Sequence, residues 1–457
     1  MESSVSAITT YLVAIALPLT LVCVVANRIR ATQVTIYICA VVAVTSLAGV
    51  LFVTVLYPAL NGTSYQFGFV DDDYRFDSVA IKASTSSSDW SIRRTLVDAD
   101  FTDYGLPHPA HNYPTLLSYW YSALGHVGMH PTAGTARVLN ALALSGCALL
   151  TYGLASLMSM TPSCSRRATL FALLNPVVLA NAVNIYRDSL ILLAILAHCF
   201  AGAVLVSRVQ QAHRSTGVIL GTFGLLYLVT LACNGIRPHL GTLLLVTAMV
   251  LLTWRCLRRD LIKSALARMS LWMAVLAACF VFRDSILLGA EMALSVRDRF
   301  DDRFTSSELR GVAGTMLALD GVLAVPTRLA LRSVLPLPVL VADTNPLLPS
   351  YWSKGSTVVW MLYVPLIVIG VWGSVRRLIT VGDGVPIVVS AYMSVLYATS
   401  ALTTFQDRHV AMYLPLGILV GWYGFRMRLG REALLLGAWL AAMLLVVALV
   451  RSAVYTI

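Results

Sequence analysis

Three short stretches of this 457-residue chain set charges against apolar runs: Arg187-Asp188, Arg237-Pro238-His239 and Asp407-Arg408-His409. A fourth, Asp71-Asp72-Asp73-Tyr74, lines up three carboxylates shortly after another apolar run. A carboxylate can act as a general base or hold a metal ion, and an arginine grips phosphate through a planar fork of N–H donors. Together they suit transfer from a phosphate-linked group. Arg187, Arg237 and Arg408 would neutralise the phosphate leaving group while Asp71, Asp72 or Asp73 takes the proton of an acceptor hydroxyl. Tyr74, Asp188, His239, Asp407 and His409 stand beside them as supporting candidates. The plainer alternative is local ion pairing at helix ends, Arg187 with Asp188 and Arg408 with Asp407, which is worth little where water has access.

The elements that must position these residues are apolar helices. With 58% hydrophobic and 12% charged residues and a mean hydropathy of +0.78, the chain cannot be wrapped into a globule with a wet surface. Crossing the hydrocarbon core takes about 20 apolar residues, and about twelve candidate runs meet that need. They begin near Leu12, Thr35, Ala136, Thr169, Ser189, Gly217, Leu240, Met269, Val358, Gly384, Val410 and Leu434. The fold class expected is therefore all-α, a polytopic transmembrane bundle forming one integral-membrane domain over 1–457. Only Tyr186, Arg187 and Asp188 separate the fourth and fifth runs, so these form either a tight hairpin or one broken, re-entrant element. The first run lacks a basic leader and a small-residue cleavage site, and reads as a span.

Basic residues give the orientation. Arg28 and Arg30, Arg166 and Arg167, Arg208 and Arg214, the cluster from Arg255 to Lys263, Arg376 and Arg377, and Arg426 to Arg431 fall in one alternating set of loops, which marks that set as cytoplasmic. The net charge of +11 is thus a topology signal, and no continuous basic stripe suggests nucleic acid. The other loops face outward, with both termini if the helix count is even. Among them are the two longest, 58–135 and 287–356. The first is acidic and aromatic, which argues for order and a catalytic role. The second holds an amphipathic stretch near 306–335 suited to lying in the interface. Arginines at outer boundaries run against the positive-inside bias, so Arg187, Arg237 and Arg408 belong in the bundle interior or a cavity.

Other residues read more plainly. The eight cysteines are scattered, with neither disulfide nor zinc spacing. His108 and His111 read as loop histidines, His198 as a packed, hydrogen-bonded core residue, and Arg283-Asp284 as an anchor for the amphipathic stretch. Asn61-Gly62-Thr63 matches a glycosylation sequon.

The order of features resembles the GT-C superfamily of integral-membrane glycosyltransferases and the related polymerases of bacterial surface polysaccharides. The matching residues are Asp71-Asp72-Asp73-Tyr74, then Tyr113-Pro114-Thr115-Leu116-Leu117 leading into Tyr119-Trp120-Tyr121, then Asn175-Pro176 and Tyr186-Arg187-Asp188-Ser189-Leu190. Arg237-Pro238, Leu335-Pro336-Leu337-Pro338, and Arg408 ahead of Tyr413-Leu414-Pro415 follow. The resemblance implies a polyprenyl-phosphate or polyprenyl-diphosphate sugar donor, a glycan or glycolipid acceptor, and a site on the extracytoplasmic face of a bacterial plasma membrane. It also implies an acidic first-loop residue, Asp71 or Asp72, as base or as ligand to a divalent metal such as Mg or Mn. Two spans precede the acidic loop here, where the superfamily has one. A transporter or flippase is the competing class; it would concentrate its polar residues at the membrane midplane.

Overall fold

The computed structural model describes residues 33–61, 71–86, 112–126, 128–130, 132–183, 187–210, 216–237, 240–257, 349–403 and 410–427, with isolated positions elsewhere. Every regular element among them is helical, and the chain is an all-α polytopic bundle. Four helices are long and apolar enough to cross a membrane, at Gln33–Leu60, Ala133–Leu157, Asp188–Ser207 and Tyr363–Val381, with shorter apolar helices at Gly221–Asn234, Leu240–Thr253 and Val385–Ser400. The spans expected near Leu12 and Leu434 lie outside the described residues, as do most of the one near Met269 and nearly all of the second long loop. Met269, Met273, Leu276 and Phe280 are helical, large and exposed, as lipid-facing positions should be.

The first described helix, α1 (Gln33–Leu51), continues through a π-helical turn (Phe52–Leu56) into α2 (Tyr57–Asn61). The N–H of Tyr57 reaches back to the carbonyl of Phe52. Pro58, next in the chain, has no N–H for the ordinary ladder, and its ring crowds the carbonyl four residues back. Widening the ladder just before it relieves that crowding.

Two helices of the first long loop follow, α3 (Asp71–Ser86) and α4 (Asn112–His126). The bundle resumes with α5 (Ala133–Leu157), opened by a capping box between Thr132 and Thr135. The fourth run is two helices, α6 (Pro162–Leu173) and α7 (Pro176–Val183). Asn175 accepts the N–H of Val177 at 3.2 Å and Pro176 cannot donate, so one helix stops and another starts inside the span. Val183 at the end of α7 packs with Val138 and Ala141 near the start of α5. Helix α8 (Asp188–Gln210) follows; residues 184–186, on which the choice between hairpin and re-entrant element falls, lie outside the described residues.

Helix α8 is apolar on all sides and mostly buried, as a helix at the centre of a bundle should be. Around it stand α5 and two further pairs: α9 (Thr216–Ile236) with α10 (Leu240–Leu257), and α12 (Val385–Thr403) with α13 (Val410–Met427). The long helix α11 (Pro349–Val381) packs on α13 along a glycine seam. A Cβ on Gly370 would stand 2.0 Å from the carbonyl oxygen of Val420, and one on Gly424 2.4 Å from that of Leu366, so the two backbones approach where only glycine fits.

The bundle has two chemically distinct ends. At one, Arg377 pairs with Asp383 at 3.0 Å, and Arg426 donates to the carbonyl of Ser159. Arg166, Arg167 and Arg376 are exposed on the helix ends that meet there. This is the end the basic loops assign to the cytoplasm. Helices α3 and α4 and residues Arg187 and Arg237 gather at the other.

Candidate functional site

Helix α3 has a buried face made of Phe76, Asp77, Val79, Ala80 and Ala83, the spacing of one helical stripe. It lies along α4, whose Tyr113, Leu117, Tyr121 and Leu124 form with Phe76 and Ala80 a core that reaches Ala136 and Ala143 of α5 and Leu190 of α8. Phe76 meets the Tyr113 ring edge-on at 5.3 Å. The indole N–H of Trp120 donates to the carbonyl of Thr135 at 2.8 Å, fixing α4 to the first turn of α5. The first long loop is thus docked on the bundle through α3 and α4.

One residue on that buried face is a carboxylic acid. Asp77 is 7% exposed and accepts the hydroxyl hydrogen of Tyr121. Arg137 lies on the first turns of α5 and is 1% exposed. Burial raises the Asp77 carboxyl above the ordinary carboxylate range, while the Tyr121 hydrogen bond and the charge of Arg137 pull it back down. Burial, the charge of Asp77 and the shared hydrogen bond push the Tyr121 phenol upward, so it stays a donor.

The arginines continue from there. Arg187 lies with its guanidinium 5.7 Å from the centre of the Phe76 ring, one residue from Asp77, and donates to the carbonyl of Ile236 at 3.1 Å. The chain neighbour of Ile236 is Arg237, whose guanidinium reaches the sulfur of Met412 on α13 at 3.3 Å. Asp77, Phe76, Arg187, Ile236, Arg237 and Met412 therefore form one chain of contacts and sequence neighbours that runs from α3 across the ends of α8, α9 and α13. Asp188 is buried on the first turn of α8, where a helix N-terminus favours a negative charge. Its neighbour Ser189 is buried with no partner for its hydroxyl among the described residues.

The sequence-derived residues stand as follows. Arg187 and Arg237 come together at this end. Asp71, Asp72, Asp73 and Tyr74 occupy the first turn of α3, with Asp73 one helical turn before Asp77; their side chains lie outside the described residues. So do His239, Asp407, Arg408 and His409. Reasoning from sequence passed over Asp77 and Arg137. Both had a signal: Asp77 follows Asp73 by four residues next to an aromatic, and Arg137 is a single cation near the start of an apolar run, at the end that the basic loops assign to the outside, as Arg187 is.

Among the described residues no group of three His, Cys, Asp or Glu side chains is placed to hold a metal ion. Asp71 and Asp72, the residues that the resemblance assigns to a metal, have side chains outside the described residues.

His198 sits in mid-span with both ring nitrogens engaged, Nδ1 with the Tyr392 hydroxyl at 2.7 Å and Nε2 with Thr230 Oγ1 at 3.0 Å. Thr230 donates to the carbonyl of Leu226 at 2.8 Å. Nε2–H must then donate to Thr230, leaving Nδ1 to accept from Tyr392, and the network is closed as a packed core histidine requires.

No family model matches the sequence, and no curated protein matches it. Among solved structures, the oligosaccharyltransferase of Archaeoglobus fulgidus in its apo form is similar, with a TM-score of 0.43 and 9% identity over 92% of this chain. This chain spans 55% of that structure's length.

Proposed function

We propose that this protein is an integral-membrane glycosyltransferase that takes its sugar from a polyprenyl-phosphate or polyprenyl-diphosphate donor on the extracytoplasmic face, in the assembly of cell-surface glycan. The observation that carries this reading is the chain of contacts from Asp77 to Arg237 at one end of an apolar bundle. A lipid-linked phosphosugar needs its isoprenoid in the membrane and its phosphate at the boundary, where the arginines lie.

In the proposed reaction a carboxylate of α3 takes the proton of an acceptor hydroxyl on a glycan or glycolipid. The hydroxyl oxygen bonds to the anomeric carbon, and the bond from that carbon to the phosphate oxygen breaks. The electron pair leaves with the polyprenyl phosphate, whose charge Arg187, Arg237 and Arg408 neutralise. Asp77 is the base best supported by its setting. Asp71, Asp72 and Asp73 enter from the first turn of the same helix. Transfer of a whole repeat unit, as by a polysaccharide polymerase, uses the same groups.

The broken fourth span and the mid-span His198 network are features a transporter or flippase could also carry. Mass spectrometry of lipid extracts from cells with and without the gene separates the two. Accumulation of an outward-facing polyprenyl-linked sugar in the deletion supports transfer. An unchanged lipid pool with a soluble metabolite redistributed across the membrane overturns it. With the donor in hand, Asp77→Asn is expected to lower transfer at least a hundredfold at unchanged protein level. Full activity in that variant moves the base to Asp71, Asp72 or Asp73.

A further inference from the structure

We propose that Asn234 and Thr242 are positioning residues for the reaction: their paired hydrogen bonds clamp the turn between α9 and α10 and so set Arg237 where it meets the phosphate of the donor. This rests on the reading of Arg237 as a phosphate contact.

Arg237 stands at the turn of a closely joined helical pair. Its backbone N–H donates to the carbonyl of Cys233 at 2.8 Å, closing the last turn of α9, and its own carbonyl accepts the N–H of Leu240 at 3.3 Å, where α10 starts. Asn234, on the last turn of α9, ties the two helices together. Its Oδ1 accepts the backbone N–H of Thr242 at 3.0 Å, and its Nδ2 donates to the Thr242 hydroxyl at 2.9 Å. An asparagine amide carries an acceptor and a donor side by side, so two bonds to one residue fix separation and rotation together. Gly241 makes the contact possible: a Cβ there would stand 2.3 Å from the carbonyl oxygen of Thr230 and 2.9 Å from Asn234 Oδ1. Thr242 is 4% exposed, which shields the clamp from competing water. Arg187 holds the same end of α9 from the start of α8, donating to the carbonyl of Ile236 at 3.1 Å. From the turn so fixed, the Arg237 guanidinium reaches Met412 on α13. A planar fork grips phosphate from a set direction, and a misplacement of about 1 Å can cost about a hundredfold in rate.

The test is the KM for donor and for acceptor, measured for transfer from a purified polyprenyl-phosphate sugar by the full chain in nanodiscs. Wild type must transfer, or the glycosyltransferase reading falls and this proposal with it. Arg237→Gln must raise the donor KM; an unmoved value takes Arg237 off the phosphate and overturns the proposal while leaving the base on α3 untouched. Given both, Asn234→Leu is expected to raise the donor KM about tenfold or more, the worth of one hydrogen bond to a charged group, at unchanged acceptor KM. In the Arg237→Gln background the same substitution should change the donor KM about twofold or less, because the group it positions has gone. Thr242→Ser keeps the hydroxyl and should stay near wild type, whereas Thr242→Val should follow Asn234→Leu in direction. A role confined to folding lowers the amount of active enzyme, hence kcat, and leaves both KM values in place. That pattern, or an undiminished effect of Asn234→Leu in the absence of Arg237, overturns the proposal. Should Asn234→Leu fail to fold, the Thr242 pair decides: a higher donor KM in Thr242→Val than in Thr242→Ser supports the clamp, and equal values overturn it.

Discussion

Tyr121 does two jobs with one hydroxyl: it satisfies a buried acid and favours that acid's charged form. A hydrogen bond to a charged group contributes about 1.5–3 kcal/mol, and 1.36 kcal/mol corresponds to one pH unit. Tyr121→Phe should therefore shift the acid limb of transfer upward by about one to two pH units while the protein stays folded. A limb that moves down would mean that Tyr121 donates to the acid only in its neutral form. His198 has the opposite character, because its bonds close on Tyr392 and Thr230 and lead nowhere. His198→Ala leaves the buried Tyr392 hydroxyl without its acceptor, at about 1–3 kcal/mol, and opens a cavity beside Thr230, which keeps its bond to Leu226. The expected result is a thermal midpoint several degrees lower, with transfer per folded molecule unchanged. Loss of transfer without loss of stability would bring this residue into the chemistry.

At the scale of elements, the site depends on α3 staying docked on α4. Phe76 is the main anchor, 6% exposed, edge-on to Tyr113 and beneath Arg187. Truncation to alanine in a packed core costs about 3–5 kcal/mol, comparable to the stability of a small docked segment. Phe76→Ala is expected to speed tryptic cleavage between α2 and α4 and to lower transfer, with α5 to α13 still resistant. Unchanged cleavage would show that the loop is held elsewhere. A second element-level dependence is the seam of α11 and α13. Gly370→Ala sets a methyl against the backbone carbonyl of Val420, which no rotamer change relieves, so the yield of monodisperse protein should collapse. Gly221→Ala, on an open face of α9, is the control and should be neutral.

For the whole molecule the main prediction is sidedness. The site end must face away from the cytoplasm if the donor is a polyprenyl-linked sugar used outside, and the Arg376–Arg377 end must face in. In intact cells a membrane-impermeant maleimide should label Lys82→Cys, exposed on α3, and should reach Arg167→Cys and Arg376→Cys only after lysis. The reverse pattern would invert the topology and remove the outer-face reaction. Cys39, Cys147, Cys199 and Cys233 are buried, and Cys23, Cys164, Cys256 and Cys279 are replaced by serine in the background used for labelling.

Much of this was legible in the chain itself, because membrane insertion is governed by local properties. An apolar run of sufficient length spans wherever it occurs, and arginine placement orients it, so the all-α bundle and the grouping of Arg187 with Arg237 at one end need only the sequence. Asn175-Pro176 likewise carries its own explanation as a break. What composition could not decide was which acid is buried and what lies behind it. Asp77 and Arg137 are 60 residues apart in number, on a loop helix and a span, and only the packing of Phe76, Tyr121 and Ala136 brings their helices together. Burial and charge coupling are properties of that three-dimensional arrangement: the same aspartate on a solvated helix would be one more surface charge.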